Sequence, residues 1–253
     1  MLAVLDLFTE ERPSLTAEQI GARLDYTRPT GYRYVRELVA AGLLARAPHG
    51  YALGARIIEF DWLIRRHDPL LTASRTAVQQ LARRTGCGVT QMGIYGERIV
   101  TIDYEPGPNP IEIDFDRGRP MPLWRGAPSK AILAFLPRGR LERLHRRHPG
   151  RGFSRFMQEL PAIRKVGYAV SFGELDIGKV GLGAPLFRRD RSVAGSLCLV
   201  TTRARYDAAN RDALAERLLD AAARISESLE PVDPEPRARR RIAPPSTRTP
   251  ARP

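Results

Sequence analysis

The spacing of apolar positions changes along the chain, and the changes divide it. Over residues 16–44 (TAEQIGARLDYTRPTGYRYVRELVAAGLL) they recur at helical spacing. Ala17, Ile20, Gly21 and Leu24 make one stripe, preceded by Thr16 and Gln19 at capping-box spacing. Asp25-Tyr26-Thr27 breaks the stripe as a turn. Thr27 then stands at the cap of a second helix, with Pro29 in its first turn, where a missing N–H has no helical partner to lose. Gly31, Tyr34, Val35 and Leu38 face inward in that helix, and Gly42 stops it. Arg28, Thr30, Tyr32, Arg33 and Arg36 are left on the outer face. Gly31 lacks a side chain, which is expected to let the two helices cross closely. Residues 43–46 and 51–53 follow as short strands around the turn Ala47-Pro48-His49-Gly50. Residues 2–10 read as a short amphipathic helix with Leu2, Leu5 and either Phe8 or Leu7 inward. Three helices followed by a hairpin make a winged helix-turn-helix. The hairpin disfavours the plainer reading, a helical hairpin with a solvated basic face.

Beyond the wing, residues 55–67 form an apolar-rich helix broken at Asp68-Pro69, and a second helix over about 70–85 stops at Gly86. From Gly88 the spacing becomes that of strands. Residues 89–95 and 99–104 flank Gly96-Glu97 as a hairpin, and 111–115 alternate as a further strand. Helices are expected over 129–136, from Pro137 through Leu141 and Leu144, and over a segment ending at Gly167. Strands are expected at 168–170, 180–187 and 192–201, with one long closing helix over 208–229. The fold class is therefore α+β, an antiparallel sheet packed by helices behind a winged helix-turn-helix. The expected divisions are a DNA-binding domain over 1–54, a linker helix over 55–68, a second domain over 69–230 and a tail over 231–253.

Composition narrows the partners. The net charge of +13 and a pI near 10.6 favour an anionic partner. Lys130, Lys165 and Lys179 are the lysines, and the remaining basic residues are arginine. That preference suits phosphate and guanine contacts, and equally suits a GC-rich genome. The tail PVDPEPRARRRIAPPSTRTPARP holds no core and is expected to be disordered. It reads either as a basic arm for non-specific DNA binding or as a dispensable end. Cys87 and Cys198 are too few for a disulfide framework, which points to a reducing cytoplasm. No apolar run is long enough to cross a bilayer, and Asp6, Glu10 and Glu11 interrupt the opening where a signal peptide would be apolar.

No catalytic, metal or cofactor constellation stands out. His145 and His148 have ligand spacing, but basic neighbours repel a cation. Gly178, Gly181 and Gly183 lack the spacing of a dinucleotide loop, and Ser129-Lys130 lacks the glycines of a phosphate loop. Double-stranded DNA is the expected partner. Thr16, Arg28, Thr30, Tyr32, Arg33 and Arg36 are the candidate contacts, joined by Arg46 and His49 of the wing.

TRPTGYRYVRELVAAGLL, YALGARIIEF, PLWRGAPSKAILAFLP and IRKVGYAVSFGELDIGKVGLGAPLF, in that order and followed by the closing helix, resemble the IclR family of bacterial transcription regulators over residues 1 to about 230. The resemblance implies a GAF-like effector domain that binds small organic acids or aromatic metabolites. It also implies a homodimer or tetramer on a pseudo-palindromic operator, commonly of a catabolic operon. It places the effector at Ala127, Pro128 and Ser129 on a helix N-terminus, opposite Ser171, Glu174, Gly181, Cys198 and Val200. Members that take small keto acids carry polar groups at the equivalents of Gly181 and Val200. This chain lacks them, which implies a roomier, less polar pocket for a larger, partly apolar acid, aromatic acids included. The alternative is a constitutive architectural DNA binder whose second domain only oligomerises.

Overall fold

In the computed structural model of the chain, residues 1–231 are described, and the tail beyond Pro231 lies outside the described residues. The chain falls into two compact units, Met1–Arg75 and one from Thr76 onward.

The first unit holds a 3-10 helix (Leu2–Leu7), α1 (Ala17–Leu24), α2 (Arg28–Ala40), the hairpin β1 (Leu44–Ala47) and β2 (Gly50–Leu53), and α3 (Arg56–His67). Thr16 and Gln19 cap α1 reciprocally, as their spacing predicts. Val4, Leu15, Ile20, Val35, Leu38 and Leu44 make the core. The opening segment differs from expectation. It is a single 3-10 stretch that buries Val4 and leaves Leu2 63% exposed, because a tighter turn rotates a different residue inward. Thr27 stands at the N-cap of α2 without capping it, since its hydroxyl donates to Thr30 Oγ1 at 2.9 Å.

Gly31 does cross Gly21, but a Cβ at Gly31 would rest 3.6 Å from Gly21 Cα, an ordinary contact. The crossing does not require glycine. Gly31→Ala is therefore expected to raise stability by about 0.5–1 kcal/mol through helix propensity, read as a higher urea midpoint. A fall in the midpoint would show that the helices are packed more tightly here than these distances allow.

α4 (Pro69–Thr85) runs across the division, and Asp68 Oδ1 accepts the N–H of Leu70 at 2.8 Å and of Leu71 at 3.2 Å at its start. The second unit then runs β3 (Gly88–Tyr95), β4 (Arg98–Glu105), α5 (Ala127–Ala134), α6 (Arg138–Arg147), α7 (Phe153–Val166), β5 (Ala169–Phe172), β6 (Lys179–Phe187), β7 (Val193–Thr202), α8 (Arg203–Ala208) and α9 (Arg211–Glu227). The strands form one antiparallel sheet in the order β4-β3-β7-β6-β5. α5 packs on one face, where Gly183, Cys198 and Thr90 share a row, and α9 packs on the strands β6 and β7.

Two elements depart from the sequence pattern. Residues 111–115 alternate in burial but form no strand, because 118–121 take the backbone partners on β4: Gly118 N–H bonds Thr101 O, and Met121 N–H bonds Ile99 O. The closing helix runs from Arg211 to Glu227, starting three residues later than expected because Asn210 accepts the N–H of Ala213 as its cap, and the short α8 capped by Thr202 stands before it where no helix was expected.

Candidate functional sites

The outer face of α2 and the hairpin β1–β2 make one basic, concave surface. Arg33 and Arg36 come from α2, Arg46 from β1 and Tyr51 from β2. Arg28, Arg33, Arg36 and His49 are exposed, as a surface that meets phosphate must be. Two expected contacts are already engaged within the chain. Thr16 uses both its hydroxyl oxygen and its N–H in the cap, and Tyr32 donates its phenol to Glu18 on α1, which holds that carboxyl below its usual range. Thr16 therefore fixes the start of α1 and Tyr32 ties α2 to α1, which their exposed-face spacing did not reveal.

In the second unit, a small cavity of about 40 Å³ lies between the sheet and a cover formed by Ile113, Phe115 and Met121. Its floor is Thr90 and Met92 on β3 with Cys198 and Val200 on β7. Pro128, Ser171, Gly181 and Glu174 complete the expected lining, and Leu175, Asp176 and Lys179 close one side. Ala127 and Ser129 do not line it, since the whole of α5 is buried and only Pro128 turns toward the space.

The polar groups at the helix start are organised differently from the expectation. Glu174 Oε2 accepts the N–H of Gly126 at 2.8 Å, and Ser171 Oγ accepts that of Ala127 at 3.0 Å. Pro128 has no N–H to give. Among the described residues, the helix start thus serves mainly the chain's own loop rather than an open anion seat. Gly181 does not enlarge the cavity either: a Cβ there would meet Ser171 Oγ at 3.2 Å, Ala127 Cβ at 3.4 Å and Cys198 Sγ at 3.5 Å. The apolar character comes instead from Met92, Phe115, Met121 and Val200. Burial pushes the Cys198 thiol up to about 12, so it stays a neutral wall group that donates to Leu199 O.

Behind this wall lies a charged cluster. Lys130 is 1% exposed, and its Nζ donates to Glu174 Oε1 and to Glu159 Oε2, each at 2.6 Å. Arg155 pairs with Glu159 at 2.7 Å, and Arg125 donates to the Glu174 carbonyl. Burial opposes the charge of Glu159, but the hydrogen bonds from Lys130 and Arg155 outweigh it and hold its carboxyl below the usual range. On the loop, Asp176 Oδ2 takes Lys179 Nζ at 3.2 Å. A compositional signal pointed here: two of the three lysines in an arginine-dominated chain, Lys130 and Lys179, belong to this region. His145 and His148 do not converge. His145 stacks on Phe153 with ring centroids 3.6 Å apart, and His148 Nε2 lies 2.9 Å from Glu97.

A family model of the IclR helix-turn-helix domain matches residues 1–48, and one of the bacterial transcriptional regulator IclR C-terminal region matches residues 64–227. The chain belongs to the IclR family. It is 28% identical over 237 residues to the HTH-type transcriptional regulator KipR of Bacillus subtilis, covering 90% of this chain and 94% of that one. It is 25% identical over 240 residues to the HTH-type transcriptional regulator XynR of Escherichia coli, covering 90% and 94%. These relatives are transcriptional regulators, and this IclR-family chain is a transcriptional regulator rather than an enzyme. Solved structures share the fold. The IclR transcriptional regulator from Alicyclobacillus acidocaldarius aligns with a TM-score of 0.73 at 23% identity, over 90% of this chain and 96% of that one. An IclR homolog from Microbacterium hydrocarbonoxydans, complexed with 4-hydroxybenzoate, aligns with a TM-score of 0.70 at 18% identity, over 90% and 96%. No described helix of this regulator is long and apolar enough to cross a membrane.

Proposed function

We propose that this IclR-family regulator binds a pseudo-palindromic operator as a homodimer, alone or paired into a tetramer. A small organic acid in the cavity sets its hold on DNA, and it acts in the cytoplasm as a repressor of a catabolic operon. The observation that carries the effector reading is the cavity itself. It is walled by Met92, Phe115, Met121 and Val200, has Lys179 as the cation in its lining, and is roofed by Ile113 and Phe115 of a segment that joins no strand, so it can widen around a ligand. Such walls favour an acid with an aromatic or other apolar body over glyoxylate or pyruvate. The 4-hydroxybenzoate complex of the Microbacterium homolog supports an aromatic acid at this fold. Dimerisation is supported by α3, which buries none of its residues and exposes Ile58, Trp62 and Ile64 by 73%, 56% and 52%. One recognition helix spans only a few base pairs, so two are needed for a specific site.

The test is operator binding by the full-length protein with and without a panel of aliphatic and aromatic acids. Tight binding of a two- or three-carbon keto acid, with every aromatic acid silent, would overturn the aromatic assignment. On the DNA side, Arg33→Ala is expected to weaken operator binding by about 1–3 kcal/mol and to relax specificity at one base position. Footprinting of the variant checks this, and unchanged binding at every site would remove Arg33 from the contact face.

A further inference from the structure

Glu174 and Asp176 sit two residues apart on the loop between β5 and β6, and both line the cavity. Their hydrogen bonding is not equally complete. Glu174 has a donor on each oxygen, Lys130 on Oε1 and the Gly126 N–H on Oε2. Asp176 has Lys179 Nζ on Oδ2, while its Oδ1 is buried with no partner and the side chain is only 9% exposed. A carboxylate oxygen can be satisfied only by an N–H or O–H, and leaving one unmet in a buried site is costly. The nearby Lys179 ammonium has three N–H groups, of which Asp176 takes one, and its side chain remains 23% exposed. Two lining residues of the cavity thus bring together an acceptor without a partner and a cation with N–H groups to spare, linked through Asp176 Oδ2.

We propose that the Asp176–Lys179 pair reads a 2-hydroxy acid, whose hydroxyl donates to Asp176 Oδ1 while its carboxylate sits on the Lys179 ammonium. This rests on the reading of the cavity as the effector site and names the ligand class within it. Because Oδ1 belongs to the same carboxylate whose Oδ2 holds Nζ, a ligand that meets both groups carries its donor close to its anion. A hydroxyl at the far end of an aromatic ring from the carboxylate does not meet both. The apolar wall of Met92, Phe115, Met121 and Val200 then takes the group carried on the hydroxyl-bearing carbon. A 2-keto acid is selected against, because its carbonyl lone pairs face a carboxylate oxygen with no proton between them. A site built to hold a hydroxyl also discriminates against the analogue that lacks it, since its own acceptor is then left unpaired.

The test is calorimetry of the full-length protein with mandelate, phenylacetate and phenylglyoxylate, which share a ring and a carboxylate and differ at one carbon. The wild type is expected to bind mandelate at least about tenfold more tightly than either of the others. Asp176→Ala is expected to reduce that preference to less than about threefold without weakening phenylacetate. Asp176→Asn keeps the shape but offers an N–H in place of the acceptor, so phenylglyoxylate should overtake mandelate. That reversal also covers the case in which the alanine variant does not fold. Mandelate and phenylacetate binding equally to the wild type, or a preference that survives in both variants, overturns the proposal and leaves the effector reading standing. Failure of all three acids to bind overturns both.

Discussion

Lys130→Met is expected to destabilise the second unit by about 3 kcal/mol, the largest effect of any single substitution proposed for this chain. Lys130 is among the largest fully buried side chains, and its ammonium carries two carboxylates. Removing one member of a buried ionic group leaves the others uncompensated, which costs about 3–5 kcal/mol in general. Arg155 stays within 2.7 Å of Glu159 and 4.0 Å of Glu174, and Gly126 still donates to Glu174, so the lower end of that range applies. Urea unfolding followed by circular dichroism measures the loss. Adding Glu174→Gln to Lys130→Met should recover part of it, because the abandoned charge is then gone. An unchanged midpoint in the single variant would mean that the cluster relaxes into solvent and holds nothing. The pH dependence has a fixed sign. Glu159 has a lowered folded-state value, so its contribution is fully present above the ordinary glutamate value of about 4.3 and is lost as pH falls through the lowered one. Acid unfolding should therefore be less steep in Lys130→Met.

Placing a charge on α3 should have the largest effect on DNA binding. Trp62→Glu, alone or with Ile58→Glu, is expected to convert the proposed dimer to a monomer and to lower operator affinity by at least about a hundredfold. Linking two half-site contacts in one molecule raises affinity by about 10²–10⁴ over either alone, and the variant forfeits that gain. The folding of the first unit should be little affected, since α3 contributes no buried side chain. Sedimentation at micromolar concentration and fluorescence anisotropy on an operator fragment read the two effects separately. A Trp62→Glu protein that remains dimeric and binds DNA as before would move the interface to another surface.

What the sequence made legible was local. The Thr16/Gln19 cap, the Gly96-Glu97 turn and the stop at Gly167 each follow from residues within one or two helical turns, and each stands where the spacing puts it. The alternation at 111–115 misled because alternation reports which side chains face inward, not whether the backbone has a ladder partner. Here Ile113 and Phe115 cover a cavity instead of a sheet. The start of the closing helix turned on Asn210, a weak helix former that is a strong cap only once the chain before it has bent. In the cavity, the resemblance named Pro128, Ser171, Glu174, Gly181, Cys198 and Val200, which do line it, but also Ala127 and Ser129, which do not, and it said nothing of the distribution of hydrogen bonds. That Glu174 would bond the Gly126 N–H and that Asp176 would keep a bare oxygen depend on contacts between loops about fifty residues apart or on burial, neither of which any spacing encodes.

The sheet order has a consequence for how the protein is made. β3 and β4 leave the ribosome early, yet β3 needs β7 as its other neighbour, and β7 starts only at Val193. The fit is close where they are joined: a Cβ at Gly183 on β6 would stand 2.6 Å from Ala127 O, so α5 cannot settle until that strand is in place. The winged helix-turn-helix, by contrast, depends on contacts within its own first 75 residues. Synthesis therefore passes through a stage of more than a hundred residues in which the winged helix-turn-helix is complete and the second unit lacks half its cavity floor. A chain released during that stage would carry the basic recognition surface with Thr90 and Met92 but without Cys198 and Val200, so the proposed effector site would lack half its floor.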